Sequence, residues 1–115
     1  MRSIAFGLHD HDNIRAYAIC PGAVKTNLTL PDGNALFPDE MWTPVEKVTA
    51  VIQMLIDGGD VEDSNGRNIA KEQNYGLVVE TCNDKHYFRD RPEYCDKLMA
   101  RNMRKTYLDF FEKKT

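Results

Sequence analysis

Ile14-Arg15-Ala16-Tyr17-Ala18-Ile19-Cys20-Pro21-Gly22-Ala23-Val24-Lys25-Thr26-Asn27 is the stretch that decides the fold. Ile14 to Cys20 is a nearly continuous apolar run, the pattern of a strand buried on both faces of a parallel sheet. It stops at Pro21-Gly22. Proline has no N–H for the ladder and glycine permits a positive φ, so the strand ends at Cys20 and the chain turns sharply. The loop that follows sits at the carboxyl end of a strand. In open α/β sheets that crevice is where ligands bind.

The neighbouring segments supply the rest of such a sheet. Upstream, Met1, Ile4, Ala5 and Leu8 fall at helical spacing, and the polar run His9 to Asn13 ends that helix. No N-cap precedes Met1, so these residues read as the last turns of a helix that starts earlier, with Met1 an internal methionine. Downstream, Leu28 to Trp42 is a long loop with Pro31, Gly33 and Pro38 and with the large apolar residues Leu30, Leu36, Phe37, Met41 and Trp42. A loop of that kind is more often a lid than a linker. Thr43-Pro44-Val45-Glu46 then predicts a helix start with a capping box. Val45, Val48, Thr49, Val51, Ile52, Leu55 and Ile56 form its expected buried face, and Gly58-Gly59 ends it. Asp63 to Gly66 is a turn, and Arg67 to Lys71, around Ile69, is the expected next strand. Strand, loop, helix and strand would form a right-handed βαβ crossover. Leu77 to Glu80 is a further short strand that can fold back as a hairpin. Pro92 to Lys113 reads as an amphipathic helix with Leu98, Met99, Met103, Tyr107, Phe110 and Phe111 inward.

Pro21, Gly22 and Thr26, preceded by a strand, resemble the Pro-Gly-x-x-x-Thr stretch of the short-chain dehydrogenase/reductase family. The order of elements continues the resemblance to about Glu80. It implies the C-terminal portion of a Rossmann-type, doubly wound parallel α/β sheet over residues 1–91. A C-terminal helical extension follows over 92–115. It also implies NAD or NADP as cofactor, with Pro21, Gly22, Ala23, Val24 and Thr26 at its nicotinamide end. The amides near Ala23 and Val24 would meet the carboxamide. The Thr26 hydroxyl would hold the same amide or the nearby phosphate. Leu28, Met41 and Trp42 would belong to the variable substrate loop. The capped helix, the Asn65-Gly66 turn and the late strands are similar to members related to 15-hydroxyprostaglandin dehydrogenase.

Two family signatures are absent. No glycine has another glycine four residues on, as the phosphate loop Gly-x-x-x-Gly-x-Gly requires. Four residues after Tyr17, Tyr75, Tyr87, Tyr94 and Tyr107 stand Pro21, Val79, Arg91, Leu98 and Phe111, so there is no Tyr-x-x-x-Lys pair. A complete member would use a Ser–Tyr–Lys set to pass a hydride between nicotinamide and an alcohol or carbonyl carbon. None of these catalytic residues is identified here, and the chain alone is expected to be inactive.

Composition bounds the alternatives. At 115 residues, 42% hydrophobic and 29% charged, the chain is one soluble domain at most. A net charge of −3 argues against a nucleic-acid binder. From Cys95 onward the net charge is +3, which leaves −6 for the rest. That basic end can serve an acidic partner, although docking on its own domain or an oligomer contact explains its apolar stripe better. Homo-oligomerisation, or pairing of the open strand edge with a full-length relative, is the expected partnership. Cys20, Cys82 and Cys95 form no metal or disulfide pattern, and Cys20 reads as an inert core thiol. A cytoplasmic setting is the default, with neither leader nor membrane span expected. His9, Asp10 and His11 lack the further ligands of a closed metal site and read as a solvated helix end.

Overall fold

The computed structural model describes residues 2–24 and 38–111. Its elements are α1 (Arg2–Asp12), β1 (Ala18–Pro21), a 3-10 turn (Asp39–Met41), α2 (Val45–Asp57), β2 (Val61–Glu62) and β3 (Asn68–Ile69). A second 3-10 turn (Lys71–Gln73), β4 (Val78–Cys82), β5 (Lys85–Arg89) and α3 (Lys97–Phe111) complete the order. The class is α/β, with helices and a mixed sheet ordered β1-β4-β5.

The parallel partner of β1 is β4, not the segment around Ile69. Ala18 lies opposite Val78 and Pro21 opposite Thr81. Asn68–Ile69 instead pairs antiparallel with Val61–Glu62 as a small separate hairpin. Asp63 accounts for the difference. Its buried carboxylate accepts hydrogen bonds from the backbone N–H groups of Asn65 (2.9 Å), Arg67 (3.0 Å) and Phe88 (3.1 Å). It closes the hairpin turn and ties it to β5. The crossover from β1 therefore runs through α2 and this hairpin before it returns as β4.

β4 also folds back on β5, with Val79 opposite Phe88 and Cys82 opposite Lys85. The turn between them is Asn83-Asp84, and Asn83 adopts φ 54°. Asparagine tolerates that left-handed conformation better than most residues.

β1 is shorter than the apolar run. The ladder begins only where β4 supplies a partner, after bonds from Gly76 N to Ala16 O (2.8 Å) and from Ala18 N to Leu77 O (3.0 Å). Ile14 to Tyr17 lead into it, with Ile14 exposed. The expected burial on both faces is not met: Ala18 and Ile19 are half-buried, and Cys20 and Pro21 are exposed, so Cys20 is not a core thiol.

One core cluster joins every layer except α1 and α3: Val51 and Leu55 of α2, Val61, Ile69, Val79 and Phe88. Tyr17, Ile19, Met54 and Leu77 pack against it. Burying each such side chain contributes roughly 1.5–3 kcal/mol. The buried stripe of α2 is narrower than its sequence suggests, since Val45, Ile52 and Ile56 are exposed. Its expected capping box does not form. Pro44 is the N-cap residue, with no side-chain cap bond, because the Thr43 hydroxyl accepts from Asn83 N instead (3.0 Å).

α1 runs through the expected His9–Asp12 turn and ends at Asn13, which has φ 54°. The His9 ring stacks on Tyr75, with centroids 3.6 Å apart. α3 starts five residues later than expected. Asp96 Oδ1 accepts from Met99 N (2.7 Å), the bond of an N-cap. Leu98, Met99 and Met103, expected inward, are exposed rather than docked on this chain. No helix among the described residues is long and apolar enough to cross a membrane.

Candidate cofactor-binding site

The turn after β1 is held from two sides. Gly22 N donates to Thr81 O (2.8 Å), which carries the parallel ladder one step past Pro21. Thr43 N then donates to Ala23 O (2.7 Å), which fastens the turn to the residue before the N-cap of α2. Gly22 is required by close approach. A Cβ there would lie 3.1 Å from both Thr43 Oγ1 and Thr81 O. Those distances are tighter than ordinary side-chain contacts, and one neighbour is backbone.

Thr43 is the hub of this end of the sheet. It is buried, its N–H takes the Ala23 carbonyl, and its hydroxyl takes Asn83 N. Asn83 Nδ2 in turn donates to Glu40 O, so the β4–β5 turn supports the 38–44 segment from below. The Thr81 hydroxyl is fully buried and has no hydrogen-bond partner among the described residues. A buried polar atom without a partner is uncommon and costs free energy. It lies in the register position opposite Pro21.

The structure thus brings Pro21, Gly22, Ala23 and Val24 to the carboxyl ends of the two parallel strands. Trp42 is buried beside Thr43, while Met41 is exposed. Thr26 and Leu28, and with them Lys25 and Asn27, lie outside the described residues. Sequence reasoning missed Thr43 as a positioning residue, since Thr-Pro was read only as a helix start. It also missed Asn83, whose signal was an Asn-Asp pair between two short β-prone runs.

A close glycine and a turn with both flanking bonds made suit a planar amide ligand. Such a ligand needs donors and acceptors already fixed in place. Gly22 N and Ala23 O are consumed in holding the turn.

Two other polar clusters are structural. The Tyr17 hydroxyl donates to the backbone and side-chain carbonyls of Asn74, and Asn74 Nδ2 donates to Gly59 O (2.9 Å). This network ties the approach to β1 to the end of α2. Burial raises the Tyr17 pKa, and Arg15 only partly opposes that. On the far side, Lys47 Nζ meets His86 Nδ1 (2.9 Å) and His86 Nε2 meets Glu62 O (2.8 Å). A protonated Lys47 donates to Nδ1, which leaves the Nε2 proton for the carbonyl. Burial opposes the charge of Asp63, but the N–H donors of Arg67, Phe88 and Asn65 outweigh it and hold its pKa below the ordinary value.

Helices on a mixed sheet, with a fastened loop at the carboxyl end of its parallel pair, define part of an α/β protein of Rossmann-like type. No protein-family model matches the chain, and no solved structure matches it. The chain is similar to the short-chain dehydrogenase/reductase prx7 of Penicillium rubens, 37% identical over 114 residues. That alignment covers 95% of this chain and 40% of the relative. The chain is thus similar, over nearly its whole length, to a short-chain dehydrogenase/reductase. It spans about two fifths of the length of the curated relative it matches.

Proposed function

We propose that this chain is the C-terminal portion of an NAD(P)-dependent short-chain dehydrogenase/reductase and forms the wall of the site against the nicotinamide. The observation that carries the reading is the turn Pro21 to Val24, fastened at the carboxyl ends of β1 and β4, in a chain similar to a short-chain dehydrogenase/reductase. Gly22 lets the backbone approach closely, and the Ala23 and Val24 amides bind and orient the carboxamide. Thr26 adds a hydroxyl to the same amide or the nearby phosphate. Leu28, Met41 and Trp42 help exclude water from an alcohol or carbonyl substrate. The nicotinamide, when bound, supplies the hydride acceptor or donor.

The chain by itself carries no dehydrogenase activity in this reading, because it lacks the phosphate loop and the Tyr-x-x-x-Lys pair. The test has two arms. The purified 115 residues should not oxidise NADH or NADPH with any of a panel of aldehydes and ketones. Within the longer dehydrogenase polypeptide, Gly22→Val should raise the cofactor KM at least tenfold. Turnover by the isolated chain, or an unchanged cofactor KM in that variant, would count against the assignment.

A second reading rests on a different observation. β1 is an edge strand among the described residues, and α3 exposes Leu98, Met99 and Met103. A non-enzymatic module could use that edge to pair with a full-length relative, or its basic helix to meet an acidic partner. Co-purification with a full-length dehydrogenase would favour it.

A further inference from the structure

Lys97, Arg101, Arg104 and Lys105 lie at i, i+4, i+7 and i+8 on α3 and so share one face of that helix. All four are exposed, and none enters an ion pair among the described residues. No acidic residue stands between Lys97 and Leu108. The nearby Asp96 carboxylate is engaged in capping, accepting from Met99 N at 2.7 Å. Like charges three and four residues apart oppose a helix, and nothing described in this chain offsets them.

The other side of α3 is apolar and uncovered. Met99 and Met103 stand one turn apart there, with Leu98 at the boundary, and all three are exposed. In the sequence, Tyr107 and Phe110 continue the line of Met99 and Met103 at helical spacing. No described residue of α3 enters the core cluster. With 15 residues, α3 is about 22 Å long at ~1.5 Å per residue. It is not long and apolar enough to cross a membrane, so its geometry is that of an element lying along a surface. What covers α3 must be anionic and must offer an apolar layer beside the charge. An acidic peptide supplies the charge but leaves Met99 and Met103 in water. The α3 of a second copy supplies the apolar layer but sets four cations against four. A bilayer with anionic headgroups supplies both, because Lys and Arg stems reach the headgroups while the apolar face sinks to the acyl boundary.

We propose that α3 lies on the surface of an anionic lipid bilayer. Lys97, Arg101, Arg104 and Lys105 meet the headgroups, and Leu98, Met99 and Met103 meet the acyl boundary. The rest of the chain, net −6 before Cys95, is repelled by such a surface and turns α3 toward it. This contact does not depend on the cofactor reading.

The test is vesicle flotation with the whole chain at nanomolar concentration, a dilution that disfavours self-association. Any aggregate sediments whereas vesicles float, so self-association does not mimic binding. The probes are vesicles of phosphatidylcholine alone and of phosphatidylcholine with about one third phosphatidylserine. The chain should float with the phosphatidylserine vesicles at least tenfold more than with the neutral ones, and raised salt should weaken that binding. Each base near an anionic surface is worth roughly fivefold. Arg101→Gln combined with Arg104→Gln should therefore weaken flotation tenfold or more. Met99→Gln combined with Met103→Gln should weaken it at least threefold. All four side chains are exposed, so neither pair of changes disturbs the core. Lys71→Gln, at an exposed base away from α3, should change nothing. Equal flotation with both vesicle types, no flotation with either, or full binding after loss of Arg101 and Arg104 would each overturn the proposal. Retention on polyglutamate beads in place of vesicles would assign α3 to an acidic protein and overturn it too.

Discussion

At the scale of residues, a few polar side chains set the geometry that the apolar pattern leaves open. Thr43 holds Ala23 O through its N–H and Asn83 N through its hydroxyl. Thr43→Val keeps the shape and the first bond but orphans Asn83 N, which should cost about 1–2 kcal/mol in a denaturant titration. Gly22→Ala places a methyl against Thr43 Oγ1 and Thr81 O and should cost about 1–3 kcal/mol by overpacking. Asp63→Ala leaves three backbone N–H donors without their acceptor and should cost about 2 kcal/mol or more. The same carboxylate predicts an acid dependence. Its folded pKa lies below the ordinary value, so its stabilisation is present above about pH 4 and is lost as pH falls through the folded pKa. Urea midpoints between pH 5 and pH 2 should fall less in Asp63→Asn than in the unmodified chain.

At the scale of elements, local signals were legible and pairing was not. Pro21-Gly22 ended a strand one residue from its observed end, and Pro44 and Gly58 bracketed α2 closely. The short strand at Leu77 to Glu80 and its folding back as a hairpin were also readable. Which strand would lie beside β1 was not, because Ile69 and Val79 both sit in short apolar runs. The choice is made by the Asp63 carboxylate, whose role needs Phe88, twenty-five residues away. For the same reason the capping box failed: a distant backbone N–H at Asn83 competes for the Thr43 hydroxyl. In the candidate site, the turn itself could be read from Pro21 to Thr26, whereas its support by Thr43, Thr81 and Asn83 could not. Two predictions belong here. Leu55→Ala, at the centre of the α2 contact, should cost about 3 kcal/mol. Asp96→Ala removes the α3 cap and should lower helix protection in hydrogen exchange at Met99 by about 1 kcal/mol. It should leave the sheet unchanged, since Leu98, Met99 and Met103 are exposed.

At the scale of the molecule, the sheet has an open edge among the described residues. β1 lies at the edge of a three-stranded sheet among the described residues, with Cys20 exposed. α2 covers one face of that sheet, and α2 and α3 carry uncovered apolar side chains. A parallel pair normally lies inside a larger sheet with both faces covered. The isolated chain is therefore predicted to self-associate or aggregate when concentrated, as light scattering would detect. A cooperative thermal transition of a monomer would contradict that. The basic end, net +3 from Cys95 onward, and the acidic remainder give such contacts a charge complement.

The most direct test is the size of the native polypeptide in its source cells, detected with an antibody to residues 97–115. The account predicts a band clearly above 13.2 kDa, the mass of this chain, carrying the phosphate loop and the Tyr-x-x-x-Lys pair on the same polypeptide. A sole band at 13.2 kDa would contradict it and would turn attention from substrates to binding partners.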